Sequence, residues 1–292
     1  MNTYTISSQT MTATLSERGG ELISLCKNGV EYMHDGNPKY WKSVAPVMFP
    51  ICGRLYEGKY TYRGKSYEMN LHGFIRQEMM TVSEQSEDSI TFSYDSTEKN
   101  RLEYPFDFTF KLTYTLKEST LTTAFTVENK TDGEIFFSLG GHPGFRLPLE
   151  GKGDFSDCYV EFSAPAPAKK INFSPTCFRT GDDRLFGGEA LKQIDLKHDL
   201  FDDDAIFLYE TAKSLTLASK SAESKIRMDF DGFKYIGLWH APKTDANYVC
   251  IEPWTGSPAY DGKIDDLETK EDITRLEKGG VYRVAYDVTV EK

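Results

Sequence analysis

The sequence lacks the motifs by which several common classes of enzyme are identified. It has no G-x-x-x-x-G-K-[ST] loop, no G-x-G-x-x-G after a strand, no H-E-x-x-H and no G-x-S-x-G. Nucleotide-binding, dinucleotide-binding, zinc-peptidase and serine-hydrolase functions therefore have no motif in their favour. The five histidines also lack close metal-ligand spacing, and we expect neither a metal nor a cofactor.

Long apolar runs, an excess of basic residues and paired cysteines are missing as well. No run approaches the eighteen apolar residues of a spanning helix, and the amino terminus has no basic region followed by an apolar one. Five scattered cysteines without C-x-x-C spacing are typical of reduced thiols. The net charge of −11 disfavours nucleic acid and anionic membranes as partners. We expect a cytoplasmic protein; its oligomeric state is left open.

Sustained helical periodicity is absent, and alternation with a period of two dominates instead. Alternating segments separated by turn residues predict antiparallel sheets. Hairpins are predicted across Asn28-Gly29 and Arg63-Gly64, and 78–84 is expected to pair with 89–95. Two long strands are predicted over 106–116 and 120–128. Further strands are predicted at 157–163, 205–210, 214–219, 225–230, 234–239, 247–252 and 281–290.

The organisation of the chain follows from the same pattern. Residues 265–278 have room for a turn or two of helix, but their apolar positions are too few for an amphipathic face. No Ser/Gly/Pro-rich linker divides the chain. We therefore expect one nearly all-β domain over residues 1–292, with two stacked sheets.

Two histidines stand in matching settings after apolar residues. His142 lies in Gly140-Gly141-His142-Pro143-Gly144, where the glycines leave space around the ring, and His72 is followed by Gly73. Such a setting favours a functional histidine at the end of a strand over a loop histidine bound to backbone. His34 and His198 are predicted to be surface residues in turns, and His240 is compatible with either location.

Charged residues next to apolar strands are the other candidates. Glu252 ends an apolar strand and is followed by Pro253 and Trp254. A carboxylate in this position is either a buried, hydrogen-bonded anchor or a base in a cleft, where partial burial would raise its pKa. Arg54 interrupts an apolar stretch, where it forms a structural ion pair or binds hydroxyls or a carboxylate. One of three consecutive aspartates before an apolar strand is expected to face inward: Asp202, Asp203 and Asp204. Three tryptophans offer apolar faces for a sugar ring: Trp41, Trp239 and Trp254.

Taken in order along the chain, these segments resemble a known family. The motifs are Gly53-Arg54-Leu55, Leu71-His72-Gly73-Phe74, Gly141-His142-Pro143-Gly144-Phe145, an aspartate before a strand, and Ile251-Glu252-Pro253-Trp254. The chain resembles the aldose 1-epimerase, or galactose mutarotase-like, family, and within it the bacterial branch labelled aldose epimerase-related. The resemblance implies a large antiparallel β-sandwich (a supersandwich) with very little helix and a site in a groove on one sheet.

The resemblance also implies a role for each site residue. Glu252 would be the general base that takes the proton of the anomeric hydroxyl, and His142 the general acid that protonates the ring oxygen. His72 would hold and polarise the sugar, while Arg54 and Asp204 bind hydroxyls. The reaction, an interconversion of α and β anomers of a hexose or related aldose, needs such an acid and base at the anomeric carbon. These roles predict a bell-shaped pH profile that rises as Glu252 ionises and falls as His142 loses its proton.

Alternatives remain at the level of the sequence. Phe74 and Pro143 differ from the galactose-specific members, which leaves the sugar open. A branch that acts on hexose 6-phosphates would need extra basic residues, and Arg76 and Arg146 flank the two histidine motifs. A non-catalytic sugar-binding or sensing protein would keep the same groove. Glycoside hydrolysis or polysaccharide lysis would call for a carboxylate pair, with Glu252 as one member.

Overall fold

The computed structural model describes all 292 residues, and strands form most of its regular structure. In chain order they are β1 Thr3–Ser7, β2 Met11–Ser16, β3 Leu22–Lys27, β4 Val30–Glu31, β5 Val47–Met48, β6 Lys59–Tyr62, β7 Lys65–Glu68, β8 Thr81–Gln85, β9 Ser89–Asp95, β10 Phe108–Lys117, β11 Thr120–Asn129, β12 Ile135–Phe137, β13 Gly140–Gly141, β14 Gly144–Arg146, β15 Cys158–Ala166, β16 Lys169–Lys170, β17 Arg184–Leu185, β18 Leu191–Asp195, β19 Ile206–Tyr209, β20 Ser214–Ser219, β21 Lys225–Asp229, β22 Tyr235–Trp239, β23 Tyr248–Trp254, β24 Asp265–Asp266, β25 Thr274–Leu276 and β26 Val281–Glu291. The predicted all-β class is confirmed.

Helix is confined to short pieces. The single α-helix, α1, spans Glu98–Glu103, and its Thr97 hydroxyl accepts a hydrogen bond from the Asn100 N–H at 3.2 Å. Six residues are too few to give a periodic signal, which is why the sequence did not reveal α1. The chain forms 3₁₀ turns at Tyr56–Gly58, Ile75–Gln77, Leu149–Gly151, Phe155–Asp157 and His198–Phe201. Residues 265–278 contain β24 and β25 and no helix. None of the helices has the length and apolar character needed to cross a membrane.

Two large antiparallel sheets dominate the architecture. One has nine strands in the order β18-β15-β20-β21-β26-β11-β10-β9-β8, and the other has eight, ordered β17-β16-β19-β22-β23-β13-β5 with β14 also paired to β23. Aromatic rings from the two sheets and their connections pack against one another between the sheets. The ring centres of Phe49 and Phe110 are 4.8 Å apart, and those of Phe137 and Tyr282 are 5.4 Å apart. This packing confirms the predicted antiparallel sandwich.

The apolar side chains between the sheets form one large core. A cluster of 66 buried residues includes side chains from both sheets, and each large apolar side chain buried this way contributes about 1.5–3 kcal/mol to stability. Because this cluster is continuous, we propose that residues 1–292 form a single domain.

The predicted hairpins and strand pairs are confirmed. Asn28 and Gly29 have φ of 51° and 82°, and Arg63 and Gly64 have φ of 49° and 73°, as a type I′ turn requires. Strands β10 and β11 pair continuously, from Phe108 opposite Asn129 to Lys117 opposite Thr120. The strands β8 and β9 also pair, and every further predicted strand is present within a few residues of its expected bounds.

One close backbone approach fixes the segment that carries His72. Gly73 has a φ of +70° and lies against the backbone of Phe49, whose carbonyl accepts the N–H of Phe74 at 3.1 Å. A Cβ on Gly73 would lie 2.2 Å from the Phe49 carbonyl oxygen, a distance that no backbone tolerates. The chain therefore needs glycine here for two reasons, the left-handed conformation and the missing side chain.

We predict that Gly73→Ala lowers the free energy of unfolding by roughly 3–5 kcal/mol, because the alanine meets both the left-handed penalty and the clash with Phe49. Gly64→Ala is the matched control, since Gly64 has a φ of +73° and a Cβ added to it would meet nothing within 4 Å. It should cost only about 1–2 kcal/mol. Urea unfolding followed by fluorescence measures both values, and equal losses would mean that the Phe49 approach is not a constraint.

Candidate active site

The alternation of β23 separates a core face from a groove face. Val249 and Ile251 point into the main core, whereas Glu252 and Trp254 line a groove of about 290 Å³ on the outer side of the eight-stranded sheet. That volume is close to the lower limit of about 300 Å³ for small-molecule sites. On the neighbouring strand β22, Gly237 is the residue opposite Glu252, and its missing side chain leaves the carboxyl room.

The register of the sheet brings His142 to Glu252. Gly140 in β13 pairs with Trp254, and Gly144 in β14 pairs with Cys250, so that His142 between them lies across from Glu252. His142 Nε2 is 3.3 Å from Glu252 Oε2, and both side chains are almost fully buried. The two predicted catalytic residues therefore lie next to each other, although they are far apart in the sequence.

His72 reaches the same groove from the other side. Its backbone has a φ of +64°, and its ring lies edge-on to His142 with 5.7 Å between the ring centres. His72 Nδ1 accepts a hydrogen bond from the Gly53 N–H at 3.1 Å, so the neutral ring carries its proton on Nε2. Burial lowers the pKa of His72 well below its usual value, and electrostatic interactions with His142, Arg76 and Arg54 act in the same direction. His72 is thus a neutral N–H donor.

The two predicted substrate-binding residues also line the groove. The Arg54 side chain makes one hydrogen bond, from Nη1 to the Thr176 carbonyl at 3.3 Å, and has no carboxylate partner. Asp204 is partly buried with a φ of 86°, whereas Asp202 and Asp203 are exposed. Of the three consecutive aspartates, Asp204 is therefore the one that faces the groove.

The three tryptophans form apolar walls around these polar groups. The Trp41 ring lies 4.8 Å from that of His142 in a tilted stack, and Trp239 meets His142 edge-on at 5.6 Å. Trp254 meets His72 edge-on at 5.3 Å. The groove thus combines flat apolar surfaces with a few polar groups, the composition that sugar rings favour.

Some lining residues were not found from the sequence. Phe173, Cys177, Phe207 and Pro258 belong to irregular segments or to a strand face that the pattern does not assign. Burial and the neighbouring Asp204 raise the pKa of the Cys177 thiol to about 11. No local signal distinguishes Cys177 from an ordinary loop cysteine, because its position depends on contacts distant in sequence.

The expected surface position of His34 is wrong. The residue is 5% exposed, with Nε2 2.9 Å from the Trp41 carbonyl oxygen and its ring centre 4.1 Å from that of Tyr248. It supports the segment that places Trp41. His198 is partly exposed, and its Nδ1 lies 3.2 Å from Nε2 of the fully buried His240. A histidine in a turn is thus compatible with burial when aromatic rings cover it.

Burial controls the protonation of the central pair. It raises the pKa of Glu252 well above its usual value, and the nearby Asp204 carboxylate raises it further. Burial also lowers the pKa of His142 to about 3, with the positive charge of Arg76 acting in the same direction. The protein environment thus favours the uncharged form of each group, with a single acidic proton shared by the pair.

Two groove residues have a buried polar atom without a hydrogen-bond partner. These atoms are His142 Nδ1 and Arg76 Nε, and both residues line the cavity. Buried polar groups normally find partners, so these two atoms are available to a ligand with oxygen atoms.

The same region contains one possible cation-binding set. His142, Cys250 and Glu252 place one ligand atom each within 4.8 Å of one another, although their spacing in the sequence gave no sign of it. Burial raises the pKa of the Cys250 thiol well above its usual value, and an electrostatic interaction with Glu252 acts in the same direction. Both disfavour the thiolate that a metal would need. The set therefore fits a metal poorly.

Comparison with known proteins identifies the family. The sequence profile of aldose 1-epimerase matches residues 2–264. The chain is 31% identical to the chromosomal protein LacX of Lactococcus lactis subsp. lactis over 99% of both chains. A galactose mutarotase related enzyme from Lactobacillus acidophilus superposes with a TM-score of 0.93 at 32% identity, covering 100% of this chain and 98% of the other. A galactose mutarotase-like protein from Lactobacillus casei gives 0.93 at 30% identity, covering 99% and 100%. The chain belongs to the aldose 1-epimerase family.

Proposed function

We propose that this protein is an aldose 1-epimerase that interconverts the α and β anomers of a hexose or related aldose. The observation that carries the proposal is the buried pair of His142 Nε2 and Glu252 Oε2, 3.3 Å apart in a groove walled by tryptophan. A reaction that moves one proton from one sugar oxygen to another needs a general base and a general acid, and a carboxyl and an imidazole that share one proton can supply both. The retention of both groups favours an enzyme over a sugar sensor with the same groove.

In the proposed reaction, the Glu252 carboxylate takes the proton of the anomeric hydroxyl while protonated His142 gives a proton to the ring oxygen. The bond between C1 and the ring oxygen breaks, and an open-chain aldehyde forms. Rotation about the C1–C2 bond followed by the reverse proton transfers closes the ring as the other anomer. The protein ends in the protonation state in which it began.

The remaining groove residues position the sugar in this proposal. His72 donates from Nε2 to a sugar oxygen, Arg54 donates to hydroxyls, and Asp204 accepts from them. The aromatic walls hold the apolar face of the ring and exclude water. We also propose a cytoplasmic location.

Proton transfer within the pair creates the active form. Moving the shared proton from Glu252 to His142 gives the carboxylate and the imidazolium that the reaction needs, with no proton taken from solvent. Activity is therefore lost when the pair binds a second proton and also when it loses its only one. The proposed pH profile therefore differs from the one expected from the sequence. Activity falls at low pH because His142 takes up a proton, and it falls at high pH because Glu252 loses one.

We predict that Glu252→Gln lowers the rate of anomerisation by about 10²–10⁴-fold, because the amide cannot accept the anomeric proton. The rate is measured by NMR exchange between the anomers of glucose and of galactose, with the buffer rate subtracted. Glu189→Gln is the matched control, since Glu189 is exposed. An unchanged rate in Glu252→Gln, with a melting temperature like that of the control, would sink the proposed role.

We predict that the acid limb of kcat/KM lies well below the ordinary histidine pKa of 6.5, since burial lowers the pKa of His142 to about 3. Below its pKa, His142 binds a second proton and the pair can no longer form the carboxylate. The alkaline limb should lie well above pH 4.5, because the pKa of Glu252 is raised from that value. A pH series by NMR exchange measures both limbs, and an acid limb at the ordinary histidine pKa would contradict the assignment.

We predict that Asp204→Asn moves the alkaline limb to lower pH, because it removes a negative charge that raises the pKa of Glu252. The KM for the sugar should rise as well, since the amide is a poorer acceptor for hydroxyls. Asp203→Asn removes the same charge from an exposed neighbour and should leave the limb nearly in place. If both variants shift the limb equally, Asp204 does not act on Glu252 locally.

A further inference from the structure

A second cavity adjoins the catalytic groove. It measures about 470 Å³, and Pro46 and Arg76 line both spaces. The cavity is also lined by residues in or near the amino-terminal sheet and by the segment before β5, among them Met1, Ser16, Arg18, Glu21, Lys42 and Ser43. The proposed reaction uses none of these residues.

The cavity gathers three cations that form no close ion pair. Arg18, Lys42 and Arg76 form none of the ion pairs in the structure, whereas Arg101, Arg184 and Arg227 pair with aspartates. Other arginines are unpaired as well, and what distinguishes these cations is that they line one cavity. Cations gathered in one cavity of an acidic protein point to an anionic ligand.

Arg76 is the most informative member of this group. Its Nη2 donates to the Leu71 carbonyl at 3.0 Å, but its Nε is buried and has no partner. Solvent does not reach that nitrogen, so its lack of a partner is not made good by hydration.

Backbone packing holds Arg18 next to Arg76. Gly19 has a φ of +66°, and a Cβ added to it would lie 2.8 Å from the Arg76 Cα, while its N–H donates to the Glu78 carbonyl at 2.8 Å. Arg18 forms a bridge with Met79 on the same stretch. The two arginines are therefore held side by side by main-chain contacts.

One carboxylate faces this cluster. Glu21 lines the cavity, and its Oε1 accepts the N–H groups of Val44 at 2.7 Å and Ala45 at 3.1 Å. The Met1 ammonium lies 3.9 Å from Glu17 and is already paired. Three side-chain cations against one carboxylate leave the cavity positive.

We propose that the substrate is a phosphorylated aldose, whose phosphoryl group is bound by Arg76 and Arg18 while its anomeric end lies between His142 and Glu252. This inference rests on the proposed function and adds the substrate class to it. Guanidinium groups match the oxygen atoms of a phosphoryl group in geometry and charge, and the hydroxyls of Ser16 and Ser43 supply further donors. Arg146, the other arginine beside a histidine motif, is exposed and does not line the groove.

The test compares kcat/KM for glucose 6-phosphate with that for glucose, and likewise for the two galactose compounds, by NMR exchange. Wild-type protein should favour the phosphorylated sugar by roughly 100-fold or more in one of the pairs. Arg18→Gln and Arg76→Gln should each reduce that ratio roughly tenfold or more. Arg283→Gln, which removes the same charge from an exposed position on β26, should leave the ratio unchanged.

Binding separates failure of this inference from failure of the proposed function. Titration calorimetry with glucose 6-phosphate, with inorganic phosphate as competitor, should show binding that Arg18→Gln weakens about tenfold and Arg283→Gln does not. If no sugar is anomerised but this pattern holds, the proposed function fails and the phosphoryl site stands. If neutral and phosphorylated sugars react equally well and Arg18→Gln alters neither ratio nor binding, the phosphoryl site is overturned and the mutarotase stands. Melting temperatures show whether each variant is folded.

Discussion

The burial of two ionisable side chains face to face is the constraint on which the rest of the site depends. Neither Glu252 nor His142 tolerates a lone charge in that environment, yet the proposed chemistry needs both charges at once. The register between β23 and the β13–β14 segment resolves this conflict, because it holds the two groups at a distance where one proton serves both. Strand pairing on both flanks of β23 keeps that distance fixed.

In the proposed function, the acid–base pair and the residues that recognise the sugar lie on different kinds of structure. The pair lies on or beside the centre of the eight-stranded sheet, where ladders on each side limit movement. The residues proposed to select the sugar lie mostly on turns and connections, among them Arg54, Asp204 and Arg76. Such an arrangement lets recognition vary through loops while the acid–base geometry stays unchanged.

Much of the fold was readable from the sequence, because alternation and turn chemistry are local signals. Asn28-Gly29 and Arg63-Gly64 predicted their hairpins, and the strand carrying Glu252 was recognised from its apolar run. The helix α1 was too short for periodicity to show. His142 and His72 were found through glycine-flanked motifs, and Glu252 as a carboxylate that closes an apolar strand, with a raised pKa as one alternative. The lowered pKa of His142 was not found, since the depth of burial depends on which strands become neighbours.

The shared proton has a consequence for the timing of the proposed reaction. When the ring opens, Glu252 holds the proton and His142 is neutral, which is also the distribution that burial favours. The charged pair is therefore the strained state, and ring opening releases that strain. The protein would thus hold the open-chain sugar in its uncharged, lower-energy state. The sugar can then rotate about its C1–C2 bond, and its hydroxyl can attack either face of the aldehyde when the ring closes again.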